Sequence, residues 1–237
     1  MHPPLALIAA GGEGKRLGAD GPKALVLCAG RPLLAWCLDA FAGSSAFAGG
    51  AGRVVVAAHA SDLPAFEAAA EEARASGLSV LVTEGGPSRS HSVAAALAAA
   101  GDVDDDAVVL VHDAARIFTT PGLVDGLVDG LKADTALSGL IAAAPAVDTI
   151  KRVEVGGTRI LETPPRDQLW AVQTPQGFRA GALRRALDQS DAVLAAASDD
   201  ASLVEGLGER VDVFAWQQPN PKITTAGDLG AAEAQLS

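Results

Sequence analysis

LALIAAGGEGKRLGADGPKAL (residues 5–25) is a short apolar run that breaks into glycines, then two adjacent cations, then Pro-Lys. Glycine-rich backbone directly after a buried strand is where α/β sheets place phosphate groups, so the identity of this loop decides the fold. Two familiar loops fail. A Walker A loop aligned on Gly14-Lys15 puts Ala9 at its first glycine and Arg16 where a hydroxyl must stand. The dinucleotide fingerprint fits Gly12 and Gly14 but puts Leu17 at its third glycine, where helix and strand must pack closely. What remains is Gly12-x-Gly14-x-Arg16-Leu17 followed, after a short interval, by Pro22-Lys23. Glycines let backbone amides close on phosphate oxygens, Arg16 and Lys23 neutralise charge, and Pro22 restrains the backbone that carries Lys23.

Outward from this loop, short β-rich runs alternate with alanine-rich amphipathic stretches. LALIAA precedes RPLLAWCLDAF, RVVVAA (53–58) precedes LPAFEAAAEEARA, and LSVLVT (78–83) precedes SVAAALAAA. VVLVH (108–112), GLVDGLVDGLKA and LIAAAP (140–145) continue the pattern. The rhythm predicts a Rossmann-like α/β fold, a mostly parallel sheet with helices on both faces and ligands beyond the carboxyl ends of its strands. After Ala146 the period changes. VDTIKRVEVGGTRILETPPR alternates apolar and polar residues around Gly156-Gly157, which predicts a protruding β-hairpin arm over about residues 146–168. A polar two-stranded ribbon is marginal alone, so the arm is expected to pack on a second copy of the chain. LWAVQ, two helical stretches, VDVFAW (211–216) and a helix from about Ala226 complete one domain spanning residues 1–237.

The composition excludes several classes of function. With 237 residues and 49% hydrophobic content the chain has ample material for a core. A formal charge of −11 disfavours nucleic-acid and anionic-membrane partners, and the absence of Tyr disfavours a base-stacking platform. An anionic ligand then requires a local positive pocket. Cys28 and Cys37 form no metal or redox spacing and read as reduced thiols. The N-terminal segment lacks the features of a signal peptide and no apolar run spans a bilayer, so a soluble, cytoplasmic protein is expected.

Further blocks sharpen the reading: GGPSRSHSV (85–93), VLVHDAAR (109–116), AVDTIKRV (146–153), PPRDQLWAVQTPQGF (164–178), SDDASLVE (198–205) and NPKIT (220–224). The loop resembles that of the sugar-phosphate nucleotidyltransferases. Taken in order, from about residue 5 to the C-terminus, the blocks resemble the 2-C-methyl-D-erythritol 4-phosphate cytidylyltransferase family of the non-mevalonate isoprenoid pathway. The resemblance implies attack by the phosphate of an alditol phosphate on the α-phosphorus of CTP, with release of pyrophosphate. The nucleophile is already an anion, so no Ser, Cys or His needs activation. The protein must screen like charges and align the phosphates.

By the same resemblance, Gly12, Gly14, Arg16 and Lys23 hold the triphosphate, with Arg16 and Lys23 the catalytic cations. Asp113 holds Mg²⁺ or another divalent cation, and Lys222 is a third catalytic cation, acting from the opposite side. Gly85, Gly86 and Ser92 border cytosine, while Ala10, Gly11 and Ala114 line the nucleotide. Arg116, Thr149 and Arg166 contact the substrate phosphate, the last two reaching across a homodimer from the arm. Lys151, Arg152 and Arg159 read as solvated ribbon charges, and His112 as a hydrogen-bonded packing residue. Ala24, Gly11, Leu17 and Ser198 depart from common family residues without removing a charge that the reaction needs. The nearest alternative is a sibling cytidylyltransferase acting on another alditol phosphate, such as ribitol 5-phosphate.

Overall fold

The structure is a computed structural model and describes residues 2–18 and 21–236. Its strands in chain order are β1 (Leu5–Ala9), β2 (Leu27–Cys28), β3 (Arg31–Pro32), β4 (Arg53–Ala58), β5 (Ser79–Glu84), β6 (Val108–Asp113), β7 (Gly139–Pro145), β8 (Arg152–Val153), β9 (Ile160–Glu162), β10 (Trp170–Arg179) and β11 (Val211–Ala215). The helices are α1 (Leu33–Ala42), α2 (Leu63–Ala75), α3 (Arg89–Ala99), α4 (Pro121–Ala133), α5 (Ala180–Leu187), α6 (Asp191–Ala196), α7 (Asp200–Glu205) and α8 (Ala226–Leu236). Seven strands form the central sheet in the order β11-β7-β10-β6-β1-β4-β5. All neighbours pair in parallel except β10, which runs antiparallel to both β6 and β7.

Alternation along the central strands builds the two layers. Ala6 and Ile8 of β1 face a core with α1, α2 and α4, containing Leu38, Phe41, Phe66 and Leu127. Leu5 and Leu7 face the opposite core with α3, α5 and α7, containing Val93, Leu183 and Val204. Each fully buried Leu or Phe contributes roughly 1.5–3 kcal/mol relative to exposure, and these two cores hold the carboxyl ends of β1, β4 and β6 level.

The segment after β10 forms three helices where the sequence pattern suggested two. The physical reason is a cap: the Asp199 carboxylate accepts from the Ser202 amide at 3.0 Å and starts α7 anew after α6. The arm is a small separate two-stranded ribbon, β8 against β9, turning at Gly156 with φ 72°. It is less polar than its alternation suggested. Val147, Val155, Ile160 and Leu161 are all exposed, Val155 completely. The cations on the ribbon pair locally, Arg152 with Glu162 at 2.7 Å and Arg159 with Glu154 at 3.3 Å, and Lys151 donates to Thr163 at 2.8 Å.

Candidate active site

The glycine loop leaves β1 and folds back on itself. The Gly14 amide donates to the Gly21 carbonyl and the Lys23 amide to the Gly12 carbonyl, both at 2.9 Å, with Glu13 bridging Pro22. This tie returns Lys23 to the mouth of β1. Lys15–Leu17 forms a single helical turn in which Leu17 is buried among Cys28, Leu33, Ile117 and Ile223. The leucine that breaks the dinucleotide fingerprint is therefore the anchor of the turn that carries Arg16. A Cβ placed on Gly12 would meet nothing within 4 Å, so its backbone borders open space.

That space is a cavity of about 380 Å³, lined by Ala10, Gly11, Gly12, Arg16, Lys23, Gly86, Ser92, Asp113, Ala114 and Lys222 among others. Gly14 lines an adjoining hollow, which shares Gly11, Gly12, Glu13 and His59 with the cavity. Gly85 lies just behind the wall, its amide donating to the Ala58 carbonyl at 2.8 Å. Ser92 is buried, accepts from the Gly86 amide at 3.2 Å and donates to the Ser88 carbonyl at 2.9 Å. A side chain at Gly86 would strike the Cβ and backbone of His91, so only glycine permits this approach.

A second cavity of about 360 Å³ contains Arg116, Thr174, Gln176, Ser198 and Asp199. The two cavities share Arg89, Asp113 and Lys222. Asp113 ends β6, where its Oδ1 accepts from Arg89 Nε at 2.9 Å and its Oδ2 from Lys222 Nζ at 2.6 Å. Burial pushes this carboxyl up, but the Arg89 and Lys222 cations outweigh burial and hold it well below the usual carboxylate range. Lys23 is shifted down as well, but for a cation this weakens the charged form: burial and the nearby Lys222 and Arg16 cations lower its affinity for a proton. Positive charge is thus concentrated at one place in a chain of net charge −11.

Lys222 sits on the loop between β11 and α8, and Asn220 fastens that loop. Its buried amide donates to the Thr174 carbonyl at 2.9 Å, and its backbone carbonyl accepts from Arg116 at 2.7 Å. The Ile223 amide adds a bond to the Ala115 carbonyl at 2.9 Å. Beneath Asp113, His112 is fully buried, with Thr174 Oγ1 3.1 Å from its Nδ1 and Phe41 edge-on at 5.7 Å. Burial lowers its pKa to about 4, so it is a neutral packing residue.

Thr149 and Arg166 line neither cavity; both lie on the arm, where Arg166 donates to the Val147 carbonyl at 3.0 Å. The site also holds residues that the sequence pattern did not assign: Arg89, His59 and Asp200. Arg89 and Asp200 stand inside the GGPSRSHSV and SDDASLVE blocks; a lone arginine among small residues was the available signal for Arg89, whereas Asp200 is one of three acids in its block and nothing local sets it apart.

A glycine-backed cavity, converging cations and one carboxylate at the carboxyl ends of parallel strands define a nucleotide-binding α/β protein that handles phosphate. A family model described as "IspD: 2-C-methyl-D-erythritol 4-phosphate cytidylyltransferase" matches residues 5–237. The chain belongs to that family. It is 42% identical over 234 residues to the 2-C-methyl-D-erythritol 4-phosphate cytidylyltransferase of Saccharopolyspora erythraea, covering 98% of this chain and 99% of that one. The enzyme of that name from Thermosynechococcus vestitus is 40% identical over 230 residues, with 97% and 94% covered. The crystal structure of the Thermus thermophilus enzyme superposes with a TM-score of 0.75 at 33% identity, covering 99% of this chain and 98% of that one.

Proposed function

We propose that the protein transfers a CMP moiety from CTP to 2-C-methyl-D-erythritol 4-phosphate, as a step of the non-mevalonate isoprenoid pathway. A phosphate oxygen of the alditol phosphate bonds to the α-phosphorus while the bond to the β-phosphate breaks. The products are 4-diphosphocytidyl-2-C-methyl-D-erythritol and pyrophosphate. The observation that carries this reading is the meeting of two cavities at Asp113, Arg89 and Lys222. One side has the glycine backbone and cations suited to a triphosphate; the other has Arg116 and polar groups suited to a second anionic substrate.

In this reading Arg16, Lys23 and Lys222 stabilise the charge of the transition state, and Gly12 and Gly14 offer backbone to the phosphates. Ala10, Gly11, Gly85, Gly86, Ser92 and Ala114 shape the nucleoside side. No group of three metal-ligating side chains is found among the described residues. That suits Mg²⁺, which takes one or two carboxylates and completes its shell with phosphate oxygens and water, so Asp113 is the protein ligand we assign. The ion would supply charge neutralisation on the nucleotide phosphates.

Thr149 and Arg166 serve a partner's site in a homodimer built through the arm, and the exposed Val147, Val155, Ile160 and Leu161 support that pairing. Among the described residues no helix is long and apolar enough to cross a membrane. A cytoplasmic location agrees with two free buried cysteines. The test is incubation with CTP, Mg²⁺ and either alditol phosphate, following pyrophosphate. Faster turnover of methylerythritol phosphate is expected, and faster turnover of ribitol 5-phosphate would overturn the choice of substrate.

A further inference from the structure

Three segments distant in sequence bring a chain of charges together behind the reacting region. Arg89 opens α3 directly after Ser88, whose hydroxyl caps the helix. Its Nε donates to Asp113 at 2.9 Å and its Nη1 to Asp200 Oδ2 at 2.5 Å. Asp200, the first residue of α7, is fully buried. We propose that Arg89, held from behind by Asp200, is the positioning residue that fixes the Asp113 carboxylate at the junction of the two cavities. This rests on the reading of the site given above.

The two cations on Asp113 differ in kind. Lys222 is a single ammonium on a flexible stem in a loop, with 43% of its side chain exposed, and an arriving phosphate competes with Asp113 for it. Arg89 is a planar fork with one donor committed to each carboxylate, so turning toward a ligand would break both contacts and strand a buried Asp200. When Lys222 turns to phosphate, Arg89 still holds Asp113. Four formal charges, Arg89, Lys222, Asp113 and Asp200, sum to zero before that event and leave a net negative junction after it, where a cation is wanted.

Stability alone gives Asp200 no reason to be there. Buried ion pairs gain little over apolar packing, and this one leaves Asp200 Oδ1 and Arg89 Nη2 buried without partners. Such a pair has value in orientation: a reacting group displaced by about 1 Å loses on the order of 100-fold in rate. The arrangement also explains the buried acid at the start of α7, whose helix cap is supplied separately by Asp199.

The test uses Arg89→Lys, Asp200→Asn and the double variant. Lysine keeps the charge but cannot span both carboxylates; asparagine keeps an acceptor but not the charge. Rates are scored against the wild type with whichever alditol phosphate the wild type turns over, so a wrong substrate leaves the comparison intact. We expect kcat to fall about 10-fold or more in Arg89→Lys, the Kd for CTP by calorimetry to stay within about threefold, and the double variant to be no worse than Arg89→Lys. Unchanged kcat in a folded Arg89→Lys, a loss confined to CTP affinity, or additive losses in the double variant would each overturn the proposal. Should Arg89→Lys not fold, Asp200→Asn decides alone: reduced kcat with unchanged CTP affinity supports the proposal, and unchanged kcat overturns it.

Discussion

The junction at Asp113 and the arm are inverted images of one another. At the junction, ionised groups are withdrawn from water and each is held by a named partner, as Arg89 and Lys222 hold Asp113. On the arm, apolar groups stand in water with nothing of their own chain over them. Burying charge costs free energy unless it is paired, and exposing a contiguous apolar surface costs free energy unless it is covered. The first region finds its charge partners within one chain. The second presents an exposed apolar surface of the kind that marks an interaction site, on a two-stranded ribbon of a size that is marginally stable alone.

The sharpest way to break the first half of that contrast is Lys23→Met. Lys23 loses part of its affinity for a proton to burial and to Lys222 and Arg16, an expense that makes sense where a triphosphate supplies the missing negative charge. The expected result is a fall in kcat of about 10² or more, with a smaller change in CTP affinity. If CTP affinity changed and kcat did not, Lys23 would be a binding residue only.

A second measurement concerns the uncharged layer under Asp113. The folded protein holds His112 neutral with a pKa near 4, while in the unfolded chain it titrates near 6.5. Between those values the unfolded state binds more protons, so stability rises with pH across the window and is lost as pH falls from about 6.5 to about 4. The full shift corresponds to about 3 kcal/mol. Asp113 has the opposite ionisation but the same slope, and its contribution disappears only as pH falls below its unfolded value of 3.8. Denaturant unfolding in EDTA at pH 7, 6 and 5 should show the loss in the wild type and a flatter profile in His112→Gln, which keeps a group able to bond Thr174. Equal profiles would show that His112 is not the titrating group.

Much of this contrast was legible in the sequence, and the remainder was hidden for identifiable reasons. Short continuous apolar runs gave β1, β4 and β6, and the glycine loop with Arg16 and Lys23 marked a wall of the first cavity, because both signals are local. Arg89 and Asp200 lie 111 residues apart and meet only because α3 and α7 pack on the same face of the sheet. No local pattern records that. The arm was legible as a hairpin through Gly156-Gly157, but alternation suggested a polar ribbon. The ribbon leaves the sheet, so neither of its faces is covered and its valines, Ile160 and Leu161 stand exposed.

Whether the arm completes a partner's site can be read from mixing two defective chains. Lys23→Met spoils the site of the chain that carries it; Arg166→Gln, if the arm acts across the dimer, spoils the site of the neighbour. Each homodimer then has no intact site. In a heterodimer, the chain with native Lys23 receives the native arm of the Lys23→Met chain, and the other site carries both defects. Random reassortment makes half the dimers mixed, with one intact site in two, so the mixture should recover about one quarter of wild-type turnover. Recovery should appear only after the chains exchange, and sedimentation should show dimers throughout. If Arg166 served its own chain's cavity, every site in the mixture would carry one defect and no activity would return. That result would leave the exposed valines and Leu161 as a docking surface without a part in the partner's chemistry, and would assign Arg166 to the site of its own chain.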